Sequence, residues 1–323
     1  MVLNIIIFIV SCLALSWLSS HLVKTLADIA KFLRWREFVT AFFVMAFATS
    51  LPNLFVDINA AINGMPQLAF GDIIGGNLID LTIIMALAVL FSKKHLQAES
   101  NMVQTSAIFT SAIVILPLLL IFDGNINRID GVILLLSFVF YSYWLFSKRD
   151  RFKKIYKERK KEKPKKLLLL LFLKDLIKIT VILIFLLLAS WAIIDSAKLF
   201  SVKLGIPLSL VGILIVGLGN CFPEAYFSII SARKGEGWMV LGDIMGSVII
   251  CATLVLGIVA IISPFEIEDF SPFLIARAYA IIASLVFLLA IKTGEKITKK
   301  EALILLFIYI AFLVTEIFKP YFF

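Results

Sequence analysis

Glu224 and Asp80 are carboxylates set inside long apolar stretches. Holding an ionised carboxylate in hydrocarbon is costly, so a residue of this kind marks an ion or proton pathway. Each sits in a block of small, polar and helix-disrupting residues, and the block occurs twice. The first copy reads AFATSLPN and then FGDIIGG, with Asp80 just beyond; the second reads GLGNCFPE and then LGDIMGS, with Cys251 just beyond. Equivalent positions lie 171 residues apart: Pro52 with Pro223, Asp72 with Asp243, Gly75 with Gly246, and Gly76 with Ser247.

The residue types suit a hard cation. The first copy supplies Thr49, Ser50, Asn53, Asp57, Asp72, Asn77 and Asp80; the second supplies Asn220, Cys221, Glu224, Ser228, Asp243 and Ser247. Carboxylate, amide, hydroxyl and backbone carbonyl oxygens coordinate calcium, and sodium accepts a similar set. Asn53 and Asp57 are four apart on one helical face, as are Glu224 and Ser228. Asp72, Gly76 and Asp80 form a second stripe, repeated by Asp243, Ser247 and Cys251. Pro52 and Pro223 are expected to break their helices and free a carbonyl one turn upstream. Gly71, Gly75, Gly242 and Gly246 serve either close helix packing or an irregular backbone lining a cavity. Cys221 and Cys251 read as small packing residues, and Asn77 is expected to face away from the pathway.

These stripes must be held by membrane-spanning helices. Of 323 residues, 61% are hydrophobic, and several apolar runs are long enough to cross a bilayer. Residues 1 to 20 lack a basic start and a cleavage site, so they read as a retained first helix. The fold class is an all-α integral membrane protein. Ten spans are expected near residues 3–23, 38–61, 68–91, 103–122, 129–146, 176–199, 207–231, 239–262, 273–291 and 302–318. They divide into a first five-helix repeat (1–146), a basic linker (147–166) and a second five-helix repeat (167–323). The recurring motifs lie at about 46–81 and about 217–252. An odd number of spans per half inverts one repeat relative to the other, as in many secondary transporters.

Charge fixes an expected orientation. With the N-terminus outside, the inner loops 24–36, 92–98, 147–166, 232–237 and 292–300 hold twenty-four Lys or Arg, against five on the outer side. That split predicts both termini outside and the linker, with twelve basic residues, in the cytoplasm of a multi-pass cell-membrane protein. The formal charge of +9 is thus explained by orientation, with no nucleic-acid partner implied. His21 and His95 flank spans and read as interfacial residues. Cys12, Cys221 and Cys251 lie in apolar segments and make no disulfide framework. No GxxxxGK[ST] loop, GxGxxG turn or HExxH pair occurs, so neither ATP coupling nor an enzyme is implied. No cofactor and no obligate protein partner is expected; the partners are membrane lipid and inorganic cations.

With these motifs in hand, the whole chain resembles the cation/calcium exchanger superfamily, in particular prokaryotic sodium/calcium exchanger-like proteins. The family pattern is a GTSLPE-like sequence followed by GN-x-x-GS in each repeat, and it is carried here by Phe47 to Leu81 and Leu218 to Ala252. The resemblance implies a ten-helix inverted-repeat transporter. Helices 2, 3, 7 and 8 would surround the ions, and helices 1 and 6 would slide across them. It implies exchange of calcium against sodium, or against protons in related branches. This sequence departs from the pattern at Asn53 (glutamate in the family), at Asp72 and Asp243 (asparagine), at Gly76 (serine), at Asn220-Cys221 (threonine-serine) and at Cys251 (acidic or amide).

The reading that follows is a secondary-active antiporter without a resident cofactor, moving Ca2+ against Na+ (or H+) by alternating access. Glu224 and Asp80 are expected to hold the cation, with Asn53, Thr49, Ser50, Asn220 and Ser247 adding oxygens. Asp57, Asp72 and Asp243 are candidates for additional charge or proton sites. Two ionised carboxylates are balanced by one divalent or two monovalent ions. Three other readings stand beside this one: a proton-coupled exchanger, a non-transporting scaffold or regulator, and a channel showing conductance without counter-transport.

Overall fold

The structure, a computed structural model, describes residues 2–32, 45–147, 165–267 and 271–318. It is built from helices α1 (Val2–Phe32), α2 (Ala46–Ile62), α3 (Pro66–Phe91), α4 (Asn101–Leu120), α5 (Arg128–Ser147) and α6 (Lys165–Leu204). They are followed by α7 (Leu208–Asn220), α8 (Phe222–Arg233), α9 (Gly237–Ile262), α10 (Ser271–Gly294) and α11 (Lys299–Phe318). Among the described residues, seven helices are long and apolar enough to cross a membrane, or eight when the bent pair α7–α8 counts as one span. The protein is a helical multi-pass membrane protein. The basic linker, apart from Ser147, Lys165 and Lys166, lies outside the described residues, as does the start of the second expected span.

Enclosure sorts the helices. In α3 and α9, 83% of the apolar window is buried, against 28% in α5 and α6, so the first two form the centre and the others face lipid. α2 packs on α3, α6 and α9; α7 lies along α3; α8 packs on α9 and on the second half of α3. α1 runs along α6 and touches α2 and α8. The 40-residue α6 begins before the expected span at 176–199 and runs unbroken through it. At about 1.5 Å per residue it is roughly 60 Å long, about twice a bilayer core.

Glycine sets the closest crossing. A Cβ on Gly71 would strike the carbonyl of Ser209, and one on Gly75 the carbonyl of Ile213. A Cβ on Gly212 would in turn strike the Leu68 carbonyl. α3 and α7 therefore meet backbone to backbone, the packing role among the two that sequence left open for Gly71 and Gly75.

Both central helices carry a widened turn at matching places, Asp80–Ile84 in α3 and Ile250–Val255 in α9. Thr82 bonds the Leu78 carbonyl and Thr253 the Ile249 carbonyl, each four residues back, inside these π-type turns. Such turns often mark functional positions. Two short antiparallel ribbons tie loops together: Leu96–Gln97 with Lys296–Ile297, and Asn125–Ile126 with Phe265–Glu266. Each ribbon joins two loops that the charge pattern assigns to one side of the membrane.

Candidate cation site

The two prolines behave differently. α7 and α8 diverge by 41° at Cys221, and Pro223 occupies the first turn of α8, where its missing N–H costs nothing. The expected break is present there. At Pro52 it is absent: α2 runs through the proline without interruption. Pro52 does leave the carbonyl of Ala48, four residues back, without its helical donor. Ser19 Oγ of α1 supplies one at 2.9 Å, so the helix survives. The equivalent serine in the second half, Ser190, bonds the Leu187 carbonyl at 2.8 Å instead. Ser19 was not among the expected residues. Its only signal in the sequence is that a serine recurs 171 positions on.

A chain of buried oxygens crosses the centre. Ser50 Oγ on α2 donates to Ser247 Oγ on α9 at 3.1 Å, and Ser247 Oγ donates to Glu224 Oε1 on α8 at 3.3 Å. Asp80 approaches the same place from α3, its buried carboxyl beside Ser247 and Cys221 and its Oδ1 without a hydrogen-bond partner. Cys221 Sγ faces the Gly76 carbonyl at 3.6 Å. Asn53 turns its amide Nδ2 to Cys251 Sγ at 3.4 Å. All of these side chains are buried.

Two further clusters flank this centre. On one side, Asn220 Nδ2 donates to Asp72 Oδ2 at 2.6 Å, and the carboxyl groups of Asp57 and Asp72 lie within hydrogen-bonding reach of each other. On the other, Thr49 Oγ1 lies 3.0 Å from Asp243 Oδ1, and Ser228 Oγ donates to Asp243 Oδ2 at 3.3 Å. The 171-residue offset maps Asp57, Asp72 and Asn220 onto Ser228, Asp243 and Thr49. The structure thus brings together predicted polar residues of both repeats, with at least one from each copy in every cluster.

The oxygens left over define what the centre can do. Glu224 Oε2, Asp80 Oδ1, Asn53 Oδ1 and Asn77 Oδ1 are buried with no hydrogen-bond partner. Asn77, expected to face away from the pathway, is buried, and no hydrogen bond joins it to the central chain. Buried carbonyl and carboxylate oxygens without donors are costly unless a cation or proton meets them. Among the described residues, no group of three or more His, Cys, Asp or Glu side chains forms a ready metal cluster. A cation here would draw on two carboxylates plus hydroxyl and amide oxygens, a hard set of modest charge.

An enclosed hard-oxygen centre, shared by two sequence-related helix sets within a membrane, is the mark of an ion transporter. The chain belongs to the sodium/calcium exchanger protein family, whose model matches residues 3–147 and 175–318. It is 24% identical over 344 aligned residues to the sodium/calcium exchanger MaX1 of Methanosarcina acetivorans, covering 96% of this chain and 97% of that protein. It is 26% identical over 254 residues to the inner membrane protein YrbG of Escherichia coli, covering 76% and 75%. Among solved structures it matches the sodium-calcium exchanger NCX_Mj with a TM-score of 0.69 and 25% identity, covering 97% and 98% of the two chains.

Proposed function

We propose that this protein is a secondary-active antiporter that exchanges calcium against sodium by alternating access. The observation that carries the reading is the enclosed oxygen chain Ser50–Ser247–Glu224 with Asp80 beside it, built from both repeats of a family exchanger. Glu224 and Asp80 are the charged ligands, and Asn53, Ser50 and Ser247 supply neutral oxygens; Thr49 and Asn220, expected among them, are engaged by Asp243 and Asp72 instead. Together the two carboxylates carry −2, which one calcium ion or two sodium ions balance. Ions of the two kinds compete for overlapping ligands, so only one set is carried at a time. The architecture is ten spans in two inverted five-helix repeats, with both termini outside and the basic linker in the cytoplasm. α1 and α6 form the bundle that moves across the fixed centre, consistent with their mutual packing and their contacts with α2.

The test is calcium uptake into proteoliposomes of the purified protein, with sodium and proton gradients imposed separately and then neither. Uptake driven by the sodium gradient is the expected result. Uptake driven only by protons moves the assignment to the proton-coupled branch. No uptake under any gradient, from folded protein, overturns transport of calcium. Glu224→Gln removes half of the central charge and is expected to lower sodium-driven uptake by at least ~10-fold. Unchanged uptake in that variant would sink the ligand assignment.

A further inference from the structure

The polar side chains at Asp57, Asp72 and Asn220 are not needed for a centre built on Glu224 and Asp80, yet all three are buried. They come from three helices, α2, α3 and the last residue of α7. Asp72 and Asp80 are eight residues apart on α3, which is about 12 Å along a helix. The Asp57–Asp72 pair is therefore displaced along α3 from Asp80, while remaining close enough for Asp72 to act on it electrostatically.

Its chemistry is unbalanced as protein alone. The Asp57 and Asp72 carboxyls face each other, and among the described residues no cationic side chain acts on either. Four oxygens there are buried without a hydrogen-bond partner: both of Asp57, Oδ1 of Asp72 and Oδ1 of Asn220. Asn220 points to a ligand independently of the acids. Its Nδ2 is fixed on Asp72 Oδ2 at 2.6 Å, and its carbonyl oxygen is left over on that same amide. One proton shared between the carboxyls would form a single hydrogen bond and leave two of the four oxygens unmet. A divalent cation would balance the charge of −2 and take all four.

We propose that Asp57, Asp72 and Asn220 form a second divalent-cation site, displaced along α3 from the central pair. The proposal rests on the reading of the protein as a calcium transporter and adds a station that the central ligands do not provide. The equivalent cluster in the other half does not offer one. There Ser228 stands in place of Asp57, the charge is −1, and both oxygens of Asp243 have hydroxyl partners. The pathway is thus asymmetric, with an extra station beside the α2–α3 turn only.

Equilibrium binding of radioactive calcium to the purified full-length chain in sodium-free detergent tests this. The wild type is expected to saturate near two ions per chain and Asp57→Asn near one. Glu224→Gln is expected to retain about one, and the double variant to retain none. Asp57→Asn keeps the side-chain shape; if it does not yield monodisperse protein, Asp72→Asn gives the same reading. A wild-type count of one that is lost in Glu224→Gln and unchanged in Asp57→Asn overturns the second site and leaves the exchanger reading standing. A shared proton between the carboxyls would produce that same result. No calcium binding by folded wild type overturns both.

Discussion

The Asp72 and Asp243 clusters occupy equivalent places in the two halves and have been finished in opposite ways. Asp243 receives hydroxyls from Thr49 and Ser228, so its carboxylate is satisfied by the protein. Asp72 receives one amide from Asn220 and faces a second carboxyl, Asp57, which leaves oxygens over. The same frame thus holds a closed, structural carboxylate at one end and an open, ligand-requiring pair at the other. Two positions decide between them: Asp57 and Asn220 in one cluster, Ser228 and Thr49 in the other. The prolines repeat the lesson. Ser19 repairs the carbonyl freed by Pro52 and keeps α2 whole, while its counterpart Ser190 bonds elsewhere and α7–α8 is bent.

The comparison breaks most sharply if Ser228 is made acidic. Ser228→Asp would give the second cluster its own facing carboxyls with no ligand site evolved around them. An unpaired buried charge costs about 3–5 kcal/mol. Thermal unfolding in detergent with a chelator is expected to show that loss. A variant as stable as wild type would mean that charge does not distinguish the two clusters.

Thr49→Ala tests the closed cluster from the other side. It strips one hydroxyl from Asp243 and leaves Oδ1 buried without a donor, a loss of roughly 1–3 kcal/mol. Midpoints in the same unfolding assay check it. A loss much smaller than that would mean that Asp243 finds another donor or is reached by water.

The smallest expected effect concerns two equivalent loops. Gly124 adopts φ 91°, and its counterpart Glu295 is the one described non-glycine residue at positive φ, 49°. A side chain in that left-handed region costs about 1 kcal/mol. Glu295→Gly makes the loops alike and is expected to raise stability by at most ~1 kcal/mol, because it also loses an exposed 3.3 Å contact with Gln104. A fall in the unfolding midpoint would show that the Gln104 contact outweighs the strain.

Much of this was legible in the residues. The apolar runs carry the helical multi-pass membrane class, and the 171-residue recurrence marks the polar positions that meet in the centre. A bilayer admits few solutions for a polar backbone, and repetition exposes the positions that are not lipid-facing. Glu224, Asp80 and Ser247 were legible as a group because carboxylates and hydroxyls in apolar helices are expensive to keep without purpose. Pro52 was misjudged because the donor that rescues its helix comes from α1, 29 residues earlier than Ala48.

Period and polarity are local properties, so the residues alone mark apolar helices that carry a recurring set of acids and amides. Which of those groups meet is a matter of packing. Whether a buried carboxylate is closed by hydroxyls or left open to a cation depends on what three different helices present at one point. That choice is made by packing across the two halves, which no spacing along the chain encodes.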